Sequence, residues 1–192
     1  MIITPIDNPD FSVRARPVGF DVSYKIEGDT LLVGLVRKTD KMKLADIEQV
    51  RFTFEPGNIS AKGFKTRLRL KDGRSVTFGN ISWRSFVEID RQEERYRDFV
   101  TKLVAAIVKA NPHCQFISGK PMPVWLAFAG LGITATMSMA AFAWSGWTRG
   151  QSGAAFFALL LFCFAVWQIE PMVRLNRPRK LALGEIPPAL LP

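Results

Sequence analysis

Between Lys120 and Arg149 the chain runs for 28 residues without a charged side chain, and between Arg149 and Glu170 for another 20. A helix of about 20 apolar residues crosses a hydrocarbon core about 30 Å thick. Two such runs, separated by one arginine, predict a transmembrane hairpin over 124–173, with spans at about 124–147 and 151–172. A function for this chain must therefore suit a protein fixed in a bilayer.

The remaining charge is distributed unevenly. Residues 1–120 carry 21 basic against 15 acidic side chains, a net +6. After Glu170 the tail holds Arg174, Arg177, Arg179 and Lys180 against Glu185. Positive flanks are retained on the cytoplasmic side of spans. Lys109 and Lys120 precede the first span and four cations follow the second, whereas the connecting loop Ser145–Gly153 offers only Arg149. Both termini are expected in the cytoplasm and the loop outside, as in a multi-pass protein of an inner membrane. Met1–Phe11 is polar and contains proline, without the apolar core of a cleaved signal peptide.

Several kinds of chemistry lack the residues they need. One histidine, His113, and two distant cysteines, Cys114 and Cys163, cannot supply the four ligands of a structural zinc site. A disulfide is not expected in a reducing compartment. The pI near 9.9 invites a nucleic-acid reading. No basic helix or base-stacking aromatic pattern accompanies it, and cations near an inner membrane surface are attracted to anionic lipid. No cofactor, metal or nucleic acid is implied.

Upstream of the spans the pattern is that of strands. Phe20, Val22, Tyr24 and Ile26 alternate with polar residues, Gly28-Asp29 turns the chain, and Thr30–Val36 returns. Arg37–Lys41 reads as a charged loop. Leu44–Ile47 leads into a strand with Val50, Phe52 and Phe54 on one face, and Glu55–Gly63 is loop-like. Phe64, Thr66, Leu68 and Leu70 then alternate with Lys65, Arg67, Arg69 and Lys71, and Asp72-Gly73 supplies a hairpin turn before Arg74–Gly79. Asp90 and Glu93 have the spacing of a capping box, opening a helix with Tyr96, Phe99, Val100, Leu103, Ile107 and Val108 at helical intervals. Asn111-Pro112 ends it, and Gln115–Ser118 is a short extended piece. The predicted class is α+β: an antiparallel sheet or partial barrel closed by one amphipathic helix. The expected divisions are an N-terminal extension over 1–19, the domain over 20–111, a connector over 112–123, the hairpin over 124–173 and a tail over 174–192.

The strand order, the segment Leu44-Ala45-Asp46-Ile47-Glu48-Gln49-Val50, the hairpin around Lys71-Asp72-Gly73-Arg74 and the closing helix together resemble a bacterial pleckstrin-homology-like (PH-like) domain over about residues 20–110. The whole chain is similar to small bacterial membrane proteins that carry such a domain beside a pair of spans. The resemblance implies a bent sheet or partly open barrel plugged by the helix. Two departures matter. The first hairpin loop, Glu27-Gly28-Asp29-Thr30, is short and acidic where phosphoinositide-binding relatives carry lysine and arginine, and the helix lacks their tryptophan, Trp83 lying before it. No headgroup site is carried over.

Three groups of cations are candidate contacts. Lys65, Arg67, Arg69 and Lys71 share a strand face, which suits acidic lipid, an acidic protein or plain solvation, since alternation places polar residues there in any case. Arg37, Lys38, Lys41 and Lys43 cluster in one region and could meet lipid if it points to the bilayer. Arg177, Arg179 and Lys180 open a tail whose Leu181, Leu183, Ile186, Leu190 and Leu191 allow either a disordered end or a docking segment. Asp90, Glu93, Glu94 and Asp98, interleaved with Arg91, Arg95 and Arg97, suit a helix start better than acid–base catalysis. Glu170 lies at a span end with Arg174 four residues on, an interfacial position. The expected function is non-catalytic: a membrane-anchored scaffold presenting its domain to a membrane or cytoplasmic protein, or to a second copy of itself. The alternative is a sensor of anionic lipid surfaces.

Overall fold

The computed structural model describes residues 6–35, 38–55, 62–85 and 88–192. It divides into two compact units, one reaching to Ser118 and resuming at Arg179–Pro192, the other Gly119–Pro178. The apolar hairpin is thus an insertion within the sequence of a β-rich unit, not an appendage after it.

The β-rich unit contains two main sheets. The first is antiparallel in the order β1 (Phe11–Val13), β2 (Val22–Glu27), β3 (Thr30–Leu35) and β4 (Lys38–Lys43). Strand β1 lies within the stretch expected to be an extension; it pairs with β2 and buries Phe11 and Val13. Strand β4 overturns the loop reading of Arg37–Lys41 for its described part. Met42 points into the core, while Lys41 and Lys43 take the opposite face. Lys38 and Asp40 share the parity of Met42 and pair with each other at 2.6 Å, so two charges obscure the alternation. The second strand ends at Leu35; Val36 and Arg37, like most of the Glu55–Gly63 loop, lie outside the described residues.

The second sheet uses β5 (Ile47–Phe54), β6 (Phe64–Leu70) and β7 (Ser75–Gly79). A small pair, β8 (Ile81–Trp83) with β9 (Ile89–Arg91), precedes the helix α1 (Glu93–Ala110), and β10 (Gln115–Ser118) and β11 (Arg179–Leu181) complete the sheet. Its order is β11-β10-β5-β6-β7, antiparallel except for the parallel pair β5–β10. The expected partial barrel is corrected here. The sheets do not close, because a single 3-10 turn, Leu44–Asp46, intervenes between β4 and β5, which share no ladder. The capping box is corrected too. Asp90 belongs to β9, and the helix starts from Gln92 with no side-chain cap.

Helix α1 buries Tyr96, Phe99, Val100, Leu103, Val104 and Ile107. Phe99 stacks on Phe11 at 5.3 Å and meets Phe78 edge-on at 5.3 Å and Tyr24 at 5.9 Å between ring centroids, joining both sheets to the helix. Two buried polar side chains, Thr66 and Asn80, are paired, as the loss of water requires. The hydroxyls of Thr66 and Tyr96 share a 2.7 Å hydrogen bond. Asn80 accepts from the Phe64 N–H at 2.7 Å and donates to the Lys62 carbonyl at 3.1 Å, stitching the β6 entry to the corner after β7.

The second unit is the helix pair α2 (Met122–Thr148) and α3 (Ser152–Leu175), of 27 and 24 residues. At 1.5 Å per residue these are about 40 and 36 Å long, more than a hydrocarbon core requires. Only 11% of the most apolar stretch of each is buried, unlike the core helix of a soluble protein. Small residues let the helices approach. A Cβ on Gly132 would lie 2.7 Å from Ile169 Cγ2, and one on Gly146 would meet Ala155 at 3.2–3.4 Å. The Trp125 indole N–H donates to the Val173 carbonyl at 2.8 Å, tying the ends of the pair. Beside it, Gly119 (φ +80°) has no room for a side chain, since a Cβ would sit 2.4–2.6 Å from Asn176 and Arg177 main-chain atoms.

Candidate functional site

The tail is where the structure departs furthest from expectation. It is not a disordered end. Residues Arg179, Lys180 and Leu181 pair with Ser118, Ile117 and Phe116. A 3-10 turn at Pro188–Leu190 packs on β5 and buries Leu190. The chain thus leaves the sheet at Ser118 and re-enters it at that residue's register partner, Arg179.

The sequence-derived cations separate into distinct groups. On β4, Lys41 and Lys43 are exposed on one face and Lys38 is tied to Asp40; Arg37 lies outside the described residues. On β6, Lys65, Arg67 and Arg69 share the outer face as expected, with Lys71 just beyond it, and neighbouring carboxylates neutralise part of the group. Lys65 pairs with Glu55 at 2.5 Å and Arg69 with Glu48 at 3.7 Å, while Lys71 donates to the Ala45 carbonyl at 3.0 Å. Arg67 donates to the Ser75 hydroxyl at 3.1 Å. In the tail, Arg177 is exposed between α3 and β11, and Arg179 and Lys180 are exposed on opposite faces of β11.

Register brings two of these groups together. One row crosses the outer face of the five-stranded sheet: Lys180 on β11, Ile117 on β10, Arg51 on β5, Arg67 on β6 and Thr77 on β7. Sequence reading missed Arg51, which looked like one more polar residue in an alternating strand. Its only signal is register, which needs the β5–β6 pairing. Partial burial lowers the Arg51 pKa from its usual value, and the facing charge of Arg67 lowers it further. Like charges directly opposite destabilise a sheet, so this pair has a cost that solvation alone does not require.

A second surface is apolar. Val18 and Phe20, before β2, are 70% and 72% exposed, and Leu35, at the end of β3, is 46% exposed. Val18 and Phe20 lie in the segment leading into β2, and Leu35 is the last residue of β3, the strand that pairs with β2. Sequence reading placed Phe20 on the inward face of a strand, but β2 starts two residues later and leaves the ring outside.

The remaining groups are accounted for by local structure. An open cleft of about 580 Å³ beside the α1 start is lined by Arg84, Asp90 and Glu93 among others, with Arg84 bridging Glu88 and Asp90 at 3.7 Å each. Arg174 donates to Glu170 at 2.5 Å along α3, as expected for an exposed span end. Burial pushes the Cys114 thiol up to about 11, keeping it protonated and unreactive. No protein-family model matches the chain, and no curated protein or solved structure does either.

Proposed function

We propose that this chain is a membrane-anchored, non-catalytic binding module of a bacterial inner membrane, holding a PH-like domain on the cytoplasmic side for a protein partner. The observation that carries the reading is the exposure of three apolar side chains, Val18 and Phe20 before β2 and Leu35 at the end of its partner β3. Contiguous exposed apolar groups mark interaction surfaces on folded domains, and a buried aromatic anchor contributes strongly to binding. Two features support this topology. Ser118 and Arg179 are register partners, so one sheet requires both hairpin ends on the same side. The cations flanking those ends, Lys120, Arg174 and Arg177, outnumber the lone Arg149 of the loop, which favours the cytoplasm for the domain.

Site-specific photocrosslinking in native membranes tests the partner reading. A crosslinking residue at position 20 should give one discrete adduct, lost when Val18 is replaced by serine, whereas one at exposed Glu94 on α1 should give none. An adduct twice the chain's mass identifies a second copy as the partner. No adduct from position 20, or equal adducts from both positions, removes this reading. An alternative reading, contact with anionic lipid, is favoured by the basic row on the second sheet.

A further inference from the structure

The row Lys180–Ile117–Arg51–Arg67–Thr77 puts three cations and no carboxylate across one sheet. Adjacent strands lie about 4.8 Å apart, so the three charges, on β11, β5 and β6, occupy a strip three strand spacings wide. Arg67 and Lys180 form no ion pair among the described residues, whereas Lys65 and Arg69, on either side along β6, each have a glutamate. The acids of this face are at its ends and the middle is left positive.

Chain length limits how far this row can lie from a bilayer. Lys180 is five residues beyond Leu175, the last residue of α3, and Ile117 is five residues before Met122, the first of α2. Five residues span at most about 17 Å when fully extended. Both helices are longer than a hydrocarbon core by about 6–10 Å, enough to carry their ends into the headgroup layer. Lys180 and Ile117 are therefore tethered no more than about 17 Å from the helix ends.

We propose that the outer face of the five-stranded sheet docks on the headgroups of anionic lipids, with Arg51, Arg67 and Lys180 meeting phosphate oxygens. Guanidinium forks suit phosphate geometry and the ammonium adds a point charge. This rests on the membrane anchoring proposed above and gives the lipid-facing role a defined surface. That surface is separate from the apolar side chains assigned to a protein.

The test uses the full chain in nanodiscs. Incorporation into discs of any composition checks anchoring by itself. Docking is then read from a fluorophore on Thr77→Cys, in a Cys163→Ala background, quenched by a headgroup spin label. Quenching should be strong in discs containing anionic phosphatidylglycerol, weak in purely zwitterionic discs, and reversed by salt. Replacing Arg67 and Lys180 together by glutamine should weaken the salt-sensitive component roughly ten-fold or more, since each surface cation shifts partitioning about five-fold. The double variant should unfold at the same temperature as the parent or higher, because it removes the Arg51–Arg67 repulsion, so a folding defect is separable from lost docking. Equal quenching in both disc types, or an unchanged double variant, overturns the proposal. Release by inorganic phosphate beyond that by chloride at equal ionic strength also overturns it, in favour of a discrete anion site.

Discussion

Phe99→Ala will lower the unfolding free energy of the β-rich unit by about 3–5 kcal/mol, the range for removing a large buried aromatic side chain. Phe99 is 2% exposed and touches rings from both sheets, so the cavity it leaves opens at the junction of Phe11, Tyr24 and Phe78. Those rings come from β1, β2 and β7, and α1 holds Phe99 itself; no single element can close the gap by shifting alone. Phe99→Leu keeps most of the volume and should cost less than about 1.5 kcal/mol. Denaturant unfolding of the full chain in detergent, followed by near-ultraviolet circular dichroism, measures both. A loss below 1 kcal/mol for the alanine variant would show that the aromatic cluster does not join the sheets to the helix.

The second large effect concerns the tail. Leu190→Ala should destabilise the same unit by about 2–3 kcal/mol, the low end for truncating a buried leucine, because Leu190 is buried where the last turn packs on β5. Leu183→Ala, seven residues earlier and 47% exposed, should change stability by less than about 0.5 kcal/mol. A disordered end would give no effect at either position, and a tail docking only on a partner would give none in the purified protein. Hydrogen exchange supplies a second readout. The amides of β10 should be protected in the parent and should exchange faster in Leu190→Ala, since β11 covers that edge of the sheet.

Features carried by local periodicity were legible in the sequence. The alternation of Phe64–Leu70 gives β6, the Asp72-Gly73 turn gives the hairpin to β7, and the stripe from Tyr96 to Ile107 gives the buried face of α1. The two charge-free runs give α2 and α3 nearly to their ends. Features that depend on distant pairing were not. Strand β1 offers only Phe11 and Val13 as apolar residues, too few for a period, and acquires its identity from β2. Strand β11 pairs with a segment some 60 residues earlier across the whole hairpin, and its three residues contain two cations. Strand β4 was obscured by Lys38 and Asp40 on the inward parity, where their mutual ion pair satisfies both charges.

The candidate surfaces divide along the same line. Three of the cations on β6 were legible because they alternate with core residues. Their conversion into a row with Arg51 and Lys180 needed the register of four strands. The exposure of Phe20 was hidden because it fits the alternation of β2 as a sequence, yet the strand starts only at Val22 and leaves Phe20 outside the ladder. In physical terms, a face is set by local pattern and a site by which faces the topology places side by side.

That topology also makes the account testable at its centre. The hairpin is inserted between two neighbouring strands, so the proposed anchoring puts the domain and the tail on one side of the membrane and the loop at Gly150 on the other. Labelling with a membrane-impermeant maleimide settles this in intact cells, using single cysteines at Gly150, Ser75 and Ala189 in a Cys163→Ala background. The account predicts labelling of Gly150→Cys in intact cells, and of Ser75→Cys and Ala189→Cys only after the membrane is opened. Labelling of Ser75→Cys and Ala189→Cys from opposite sides, or of all three without opening the membrane, would contradict it.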